Sequence, residues 1–229
     1  MLYQDRILYK EAPTLQKNLY SLVLMEDVVR EIDKLALQQN TNRSNLINQI
    51  LAEYVSLMTP EKRVNHIFRN IEALINECGM GIVPYVSPNQ MTMSLKSSLE
   101  YKYRPTIKYE VALYRVPDGA AIGELNVVFR TQSAALIRAM TEFFRLWSQL
   151  ETIYRKEDGI RYALYEGKFT RTIQVPRNRN DTAEQIGDHI SSYIQIFDKL
   201  MKHYVSGGMG PREIEQLYLE YFNRGVGLI

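Results

Sequence analysis

The amino-acid sequence predicts an α+β fold in two parts, and three observations predict it. Residues 19–55 begin with a short run that can alternate, then switch to helical spacing twice. From about Met91 to Phe129 apolar residues recur at every second position, as in strands buried on one face. Residues 133–157 and 182–205 carry apolar side chains that step by four and three alternately, as long packed helices do. The expected order is an N-terminal arm with a strand–helix–helix dimerisation unit over 1–58, then a connecting helix over 59–79. An α+β domain with an antiparallel meander and long helices follows over 80–229.

Leu19-Tyr20-Ser21-Leu22-Val23-Leu24 is long enough for one strand. Val28, Val29, Ile32, Leu35 and Ala36 then form a helical stripe, with Glu26 and Asp27 in the first turn, where the helix dipole favours acids. Asn40 tolerates the left-handed backbone that a tight helix exit needs. Asn42 can cap a second helix, whose apolar face is Leu46, Ile47, Ile50, Leu51, Tyr54 and Val55. A lone strand has no ladder partner, and two short helices bury little surface. A two-fold dimer in which the strands pair is the least costly remedy.

This strand, Glu26-Asp27-Val28-Val29 opening the first helix, Lys34-Leu35-Ala36 closing it and Asn42-Arg43-Ser44 opening the second resemble the ribbon-helix-helix (Arc/MetJ-like) family of DNA-binding proteins. The resemblance implies paired strands lying in the DNA major groove, with alternate side chains facing the bases. With Tyr20, Leu22 and Leu24 in the dimer core, the groove set is Lys17, Leu19, Ser21 and Val23. It also implies a phosphate held by the amides of Asn42, Arg43 and Ser44, as helix N-termini hold anions. The chain departs from the family on the groove face, where Arg, Lys, Gln, Asn or Thr are usual. Leu19 and Val23 can touch a thymine methyl but cannot make bidentate bonds to a base. Residues 17–58 hold four basic and five acidic side chains, so this segment neutralises little phosphate charge. Such a unit serves equally for assembly alone or for docking a protein.

At 229 residues the chain suits two domains. A net charge of +2 and a pI of about 8.5 permit a nucleic-acid partner without demanding one. A single cysteine excludes an intrachain disulfide framework and fits a reducing compartment. The opening MLYQDRILYKEAP lacks the apolar core of a signal peptide, and no stretch approaches the ~20 apolar residues of a membrane span. A cytoplasmic protein with no membrane partner is expected. Leu2, Tyr3, Ile7, Leu8 and Tyr9 give residues 1–16 the character of an arm that packs on the dimer or follows the DNA.

Thr59-Pro60-Glu61 starts a helix, and Gly79 ends it. Its stripe is Val64, Ile67, Phe68, Ile71, Leu74, Ile75 and Cys78, so Cys78 reads as a small core residue. Gly79-Met80-Gly81 and Val83-Pro84 read as a boundary. Leu99, Tyr101 and Tyr103, then Ile107, Tyr109, Val111 and Leu113, then Leu125, Val127 and Phe129 alternate as three strands. Pro117-Asp118-Gly119 turns between the last two. Ser133 opens a helix bearing Leu136, Met140, Phe143, Trp147, Leu150 and Tyr154. Residues 161–165 and 169–175, around Glu166-Gly167-Lys168, read as a hairpin. Asp181 with Glu184 reads as a capping box for a helix bearing Ile186, Ile190, Tyr193, Phe197, Leu200 and Tyr204, and Pro211 starts a last helix. Both long stripes are expected to close one core within the chain.

Sites for chemistry are sparse. Gly207-Gly208-Met209-Gly210 lacks the spacing and the Lys-Ser/Thr of a phosphate loop. His66, His189 and His203 are far apart, and no Cys or His pair has metal-ligand spacing. No metal, cofactor or enzymatic reaction is expected, and Asp188, His189 and Asp198 read as a solvated helix face. The C-terminal half is basic and aromatic instead: residues 96–116 hold five basic and two acidic side chains, and 155–179 hold seven and three, with tyrosines interleaved. Basic grooves with aromatic platforms bind single strands, which suggests a secondary nucleic-acid surface on Lys102, Arg104, Lys108, Arg177 and Arg179. The expected function is a homodimeric, sequence-specific DNA-binding protein that regulates transcription. Its partners are double-stranded DNA, a second copy and a ligand or protein on the C-terminal domain. The alternative is an oligomeric scaffold, including a plasmid-partition or conjugation accessory protein.

Overall fold

A computed structural model describes residues 19–55, 57–79, 81–89, 91–100, 104–175, 179, 181–227 and 229. The chain divides into two units, residues 1–51 and 52–229. In the first, α1 spans Glu26–Gln38 and α2 starts at Arg43 and runs to Tyr54. Asn40 takes the expected left-handed conformation, φ 50°, and the Thr41 amide returns to the Ala36 carbonyl at 2.9 Å. The Asn42 side chain caps α2 by accepting from the Asn45 amide at 2.9 Å. Residues 19–25 lead into α1 and join no ladder among the described residues.

The second unit is a six-stranded antiparallel sheet with helices on one face. Its elements are α3 (Pro60–Cys78), β1 (Val83–Asn89), β2 (Thr92–Ser98), β3 (Thr106–Asp118), β4 (Ala121–Phe129), α4 (Ala134–Tyr154), β5 (Tyr162–Tyr165), β6 (Lys168–Gln174), α5 (Ala183–Val205) and α6 (Pro211–Asn223). The strand order is β1-β2-β3-β4-β6-β5, a four-strand meander extended by a hairpin. Leu95, Tyr109, Val127 and Phe169 stand opposite one another across the sheet and form one buried row of its inner face. The stripes of α4 and α5 lie on that face: Phe144 stacks on Phe169 and Phe197, and Phe197 meets Tyr109 edge-on. Burying each such ring contributes roughly 1.5–3 kcal/mol. Both long stripes are therefore internal to one chain, as their spacing predicts.

Several elements differ from expectation. Val83-Pro84, read as a boundary, begins β1. Pro84 is tolerated because β1 is an edge strand, where a missing amide costs no ladder bond. The strand expected around Leu99, Tyr101 and Tyr103 runs over Thr92–Ser98 and ends before Leu99, while Tyr101 and Tyr103 lie outside the described residues. Beyond Ser98, the Leu99 amide donates to the Pro105 carbonyl at 3.1 Å. Helix α3, expected as a connector, buries Val64, Ile67, Ile71 and Ile75 in the core of the second unit. Its close approach to α5 depends on Gly187, where a Cβ would meet Asn70 side-chain atoms at 2.9 Å. Asn70 instead donates to the Glu184 carbonyl and to Asp188, both at 2.7 Å. Cys78, expected as a small core residue, is exposed: it is the last residue of α3, past Ile75, the last core position of that helix. The cap of α5 is Thr182 paired with Gln185, one residue beyond the Asp181–Glu184 pair. No helix among the described residues is long and apolar enough to cross a membrane.

Candidate nucleic-acid interface

In the N-terminal unit, Leu19 and Val23 are fully exposed and Ser21 is exposed. Tyr20, Leu22 and Leu24 show 78%, 60% and 40% exposure, so the set expected to point inward becomes progressively more covered towards α1. Lys17 and the arm over 1–16 lie outside the described residues. At the start of α2, Arg43 is tied to α1: its Nε donates to Asp33 Oδ1 at 2.7 Å and its Nη2 donates to Asp33 Oδ2 at 2.5 Å. That hydrogen-bonded pair lowers the Asp33 carboxyl below its ordinary value and raises Arg43 above its own. The Arg43 side chain is thus committed within the unit. The first helical amides, those of Arg43 and Ser44, have no intrahelical acceptor and are the groups suited to an anion. Ser44 is exposed beside them.

In the second unit the expected basic set is scattered. Lys102 and Arg177 lie outside the described residues, as do Tyr101 and Tyr103. Arg104 is exposed, with φ 42°, an uncommon backbone for a residue that is not glycine. Lys108 lies on the outer face of β3 and pairs with Glu110 at 2.6 Å. Arg179 is occupied by Asp181 at 2.8 Å and by the His189 ring. Burial, then the Arg179 charge, lowers the His189 pKa. Tyr109 belongs to the core, not to a platform: its hydroxyl donates to Asp198 at 2.8 Å, and burial pushes its pKa up. Asp198, expected on a solvated face, is fully buried and also pairs with Lys202 at 2.6 Å.

The most concentrated charge in the core lies where the expected site residues do not, between α4 and β6. Arg171 and Glu151 are both fully buried and paired at 2.9 Å, with Arg171 Nε also donating to both Glu151 oxygens. The Tyr193 hydroxyl donates to Glu151, and Trp147 donates to Tyr193 at 2.7 Å. Arg155 approaches the same carboxylate at 3.6 Å and binds Asp158 at 2.7 Å. Burial opposes the charge on Arg171, but Glu151 holds its pKa above the ordinary value. The signal in the sequence was Arg171 in phase with Phe169 and Ile173, and Glu151 one turn after Trp147. No known family model matches the chain. Neither does any curated protein or solved structure.

Proposed function

We propose that the chain is a homodimeric DNA-binding protein whose N-terminal unit acts as a ribbon-helix-helix, serving transcriptional regulation by occupying its site. The observation that carries this reading is an unfinished core. Among the described residues of 19–51, only Ala36 and Leu46 are buried, while Leu22, Leu24, Val28, Leu35, Leu37 and Ile50 are exposed. A second copy pairing through residues 19–24 gives those side chains an interior and gives the unpaired strand a ladder. The capped start of α2, with the amides of Arg43 and Ser44 free of intrahelical acceptors, supports a phosphate contact.

The test is an electrophoretic shift against selected duplexes at two salt concentrations, with Ser44→Glu beside the parent. A carboxylate in the first turn favours the helix dipole but repels phosphate, so folding is preserved while affinity falls about tenfold on every sequence. Arg43→Glu should act in the same direction and also lose the Asp33 pair. No specific complex at low salt, or unchanged affinity in Ser44→Glu, would refute the reading. The full exposure of apolar Leu19 and Val23 favours a second reading, a scaffold that uses this unit to assemble. Light scattering over a concentration series separates the two: a regulator stops at a fixed small oligomer, and a scaffold keeps growing.

A further inference from the structure

The outer face of the sheet carries a basic row that no single segment of sequence contains. Lys96 of β2 stands opposite Lys108 of β3, Lys108 opposite Val128 of β4, and Val128 opposite Lys168 of β6. Tyr165 of β5 stands opposite Lys168 and ends the row. Residues directly opposite share a face, and this row is out of phase with buried Leu95, Tyr109, Val127 and Phe169, so it lies on the face away from the helices. At the other edge Tyr85 is 49% exposed beneath the Lys96 ammonium, which sits 3.6 Å from the ring centroid; Tyr165 is 64% exposed. We infer that this row binds single-stranded nucleic acid, its backbone lying across the strands over the lysines and its bases meeting the edge tyrosines.

Three points favour that occupant. Lysines directly opposite one another destabilise a sheet, and a polyanion laid across them reverses the sign of that effect. Here Glu110 and the Tyr85 ring draw the two ammonium groups to separate partners, whereas Lys168 has no ion pair among the described residues. The next carboxylate on this face, Glu124, is engaged by the Tyr114 hydroxyl at 3.0 Å. Five inter-strand steps from β1 to β5 span roughly 24 Å, wide enough for a short single strand. The B-DNA major groove admits a helix or a two-stranded ribbon, not a face six strands wide, and exposed aromatics serve unpaired bases.

The test is fluorescence anisotropy of the full chain with a labelled thymidine oligomer of about 12 nucleotides, a length within common site sizes. Three neutralised phosphates give a slope of log affinity against log salt of about −2, and each lysine lost should reduce it by about 0.7. Lys96→Glu and Lys168→Glu should each weaken binding, and Tyr165→Ala should weaken it about fivefold or more through lost stacking. Lys199→Glu, the same charge change at an exposed site on α5, should leave binding unchanged. Retained affinity and slope in both lysine variants, or equal loss in Lys199→Glu, would overturn the inference. So would polyaspartate competing as well as the oligomer while Tyr165→Ala binds normally, because the occupant would then be an acidic peptide.

Discussion

Arg171→Met should cost the second unit about 3–5 kcal/mol, because it strands the Glu151 carboxylate in the core. Glu151 would keep only the Tyr193 hydroxyl at 3.2 Å and Arg155 at 3.6 Å, while losing three close donor contacts from Arg171. The Ile229 backbone oxygen would lose its Arg171 donor as well. Replacing both charges, Glu151→Leu with Arg171→Met, removes the stranded ion and should return to within about 2 kcal/mol of the parent. The single tryptophan makes the assay specific, since Trp147 donates to Tyr193, which donates to Glu151. Its fluorescence therefore reports this unit and not the first. With a urea slope of about 2 kcal/mol per molar, the single variant shifts the midpoint by roughly 1.5–2.5 M. A cost below about 1 kcal/mol for Arg171→Met, or a double variant as unstable as the two singles combined, would refute the reasoning.

Other consequences are open to measurement. Gly123→Ala should destabilise by at least about 1–3 kcal/mol in urea unfolding, because its Cβ would meet the Ala112 carbonyl oxygen at 2.3 Å, and backbone cannot swing aside. Tyr109→Phe should cost about 1–3 kcal/mol, since buried Asp198 loses a donor at 2.8 Å. The pKa of His189 is lowered in the fold, so the unfolded chain takes up the proton more readily. Its contribution to stability is then full above the ordinary value near 6.5 and declines as pH falls through it. His189→Gln should flatten the pH profile of the urea midpoint in that window, and an unchanged profile would show that Arg179 and burial exert no such effect.

The elements of the chain were legible wherever local signals agree. Ser133 and Thr59 cap α4 and α3 as their types suggest, Asn40 turns left-handed, and both four-three stripes are buried. The errors occur where the deciding partner is remote in sequence. Nothing in Val83-Pro84 reveals that the segment will be an edge; only the pairing of Tyr85 with Ser94 does so. Tyr109 reads as apolar core, but its acceptor lies on α5, 89 residues away, which is why Asp198 looked solvated. Consecutive segments do not reveal the basic row, because the sheet register assembles Lys96, Lys108 and Lys168 from three strands.

The two units differ in how complete they are, and that difference bears on function. The second closes a core across the four central strands β2, β3, β4 and β6 with α3, α4, α5 and α6, and its apolar residues are largely buried within one chain. The first has a capped start of α2, a left-handed exit from α1 and a bidentate Asp33–Arg43 pair, yet among its described residues 19–51 it buries two apolar side chains. One side-chain cap and three exposed ion pairs, Arg30–Asp27, Lys34–Glu31 and Arg43–Asp33, contribute at most a few kcal/mol, far below the conformational entropy of ordering some thirty residues. The proposed dimer would supply the interior that the described residues of this unit lack. Residues 19–24 present backbone that joins no ladder among the described residues, beside exposed apolar side chains, the surface on which the proposed dimer rests. Leu22→Glu would place a charge on that surface, and the full chain should then run as a monomer in light scattering while Trp147 fluorescence stays unchanged. A dimer that persists in Leu22→Glu would place the contact elsewhere and remove the main support for the ribbon.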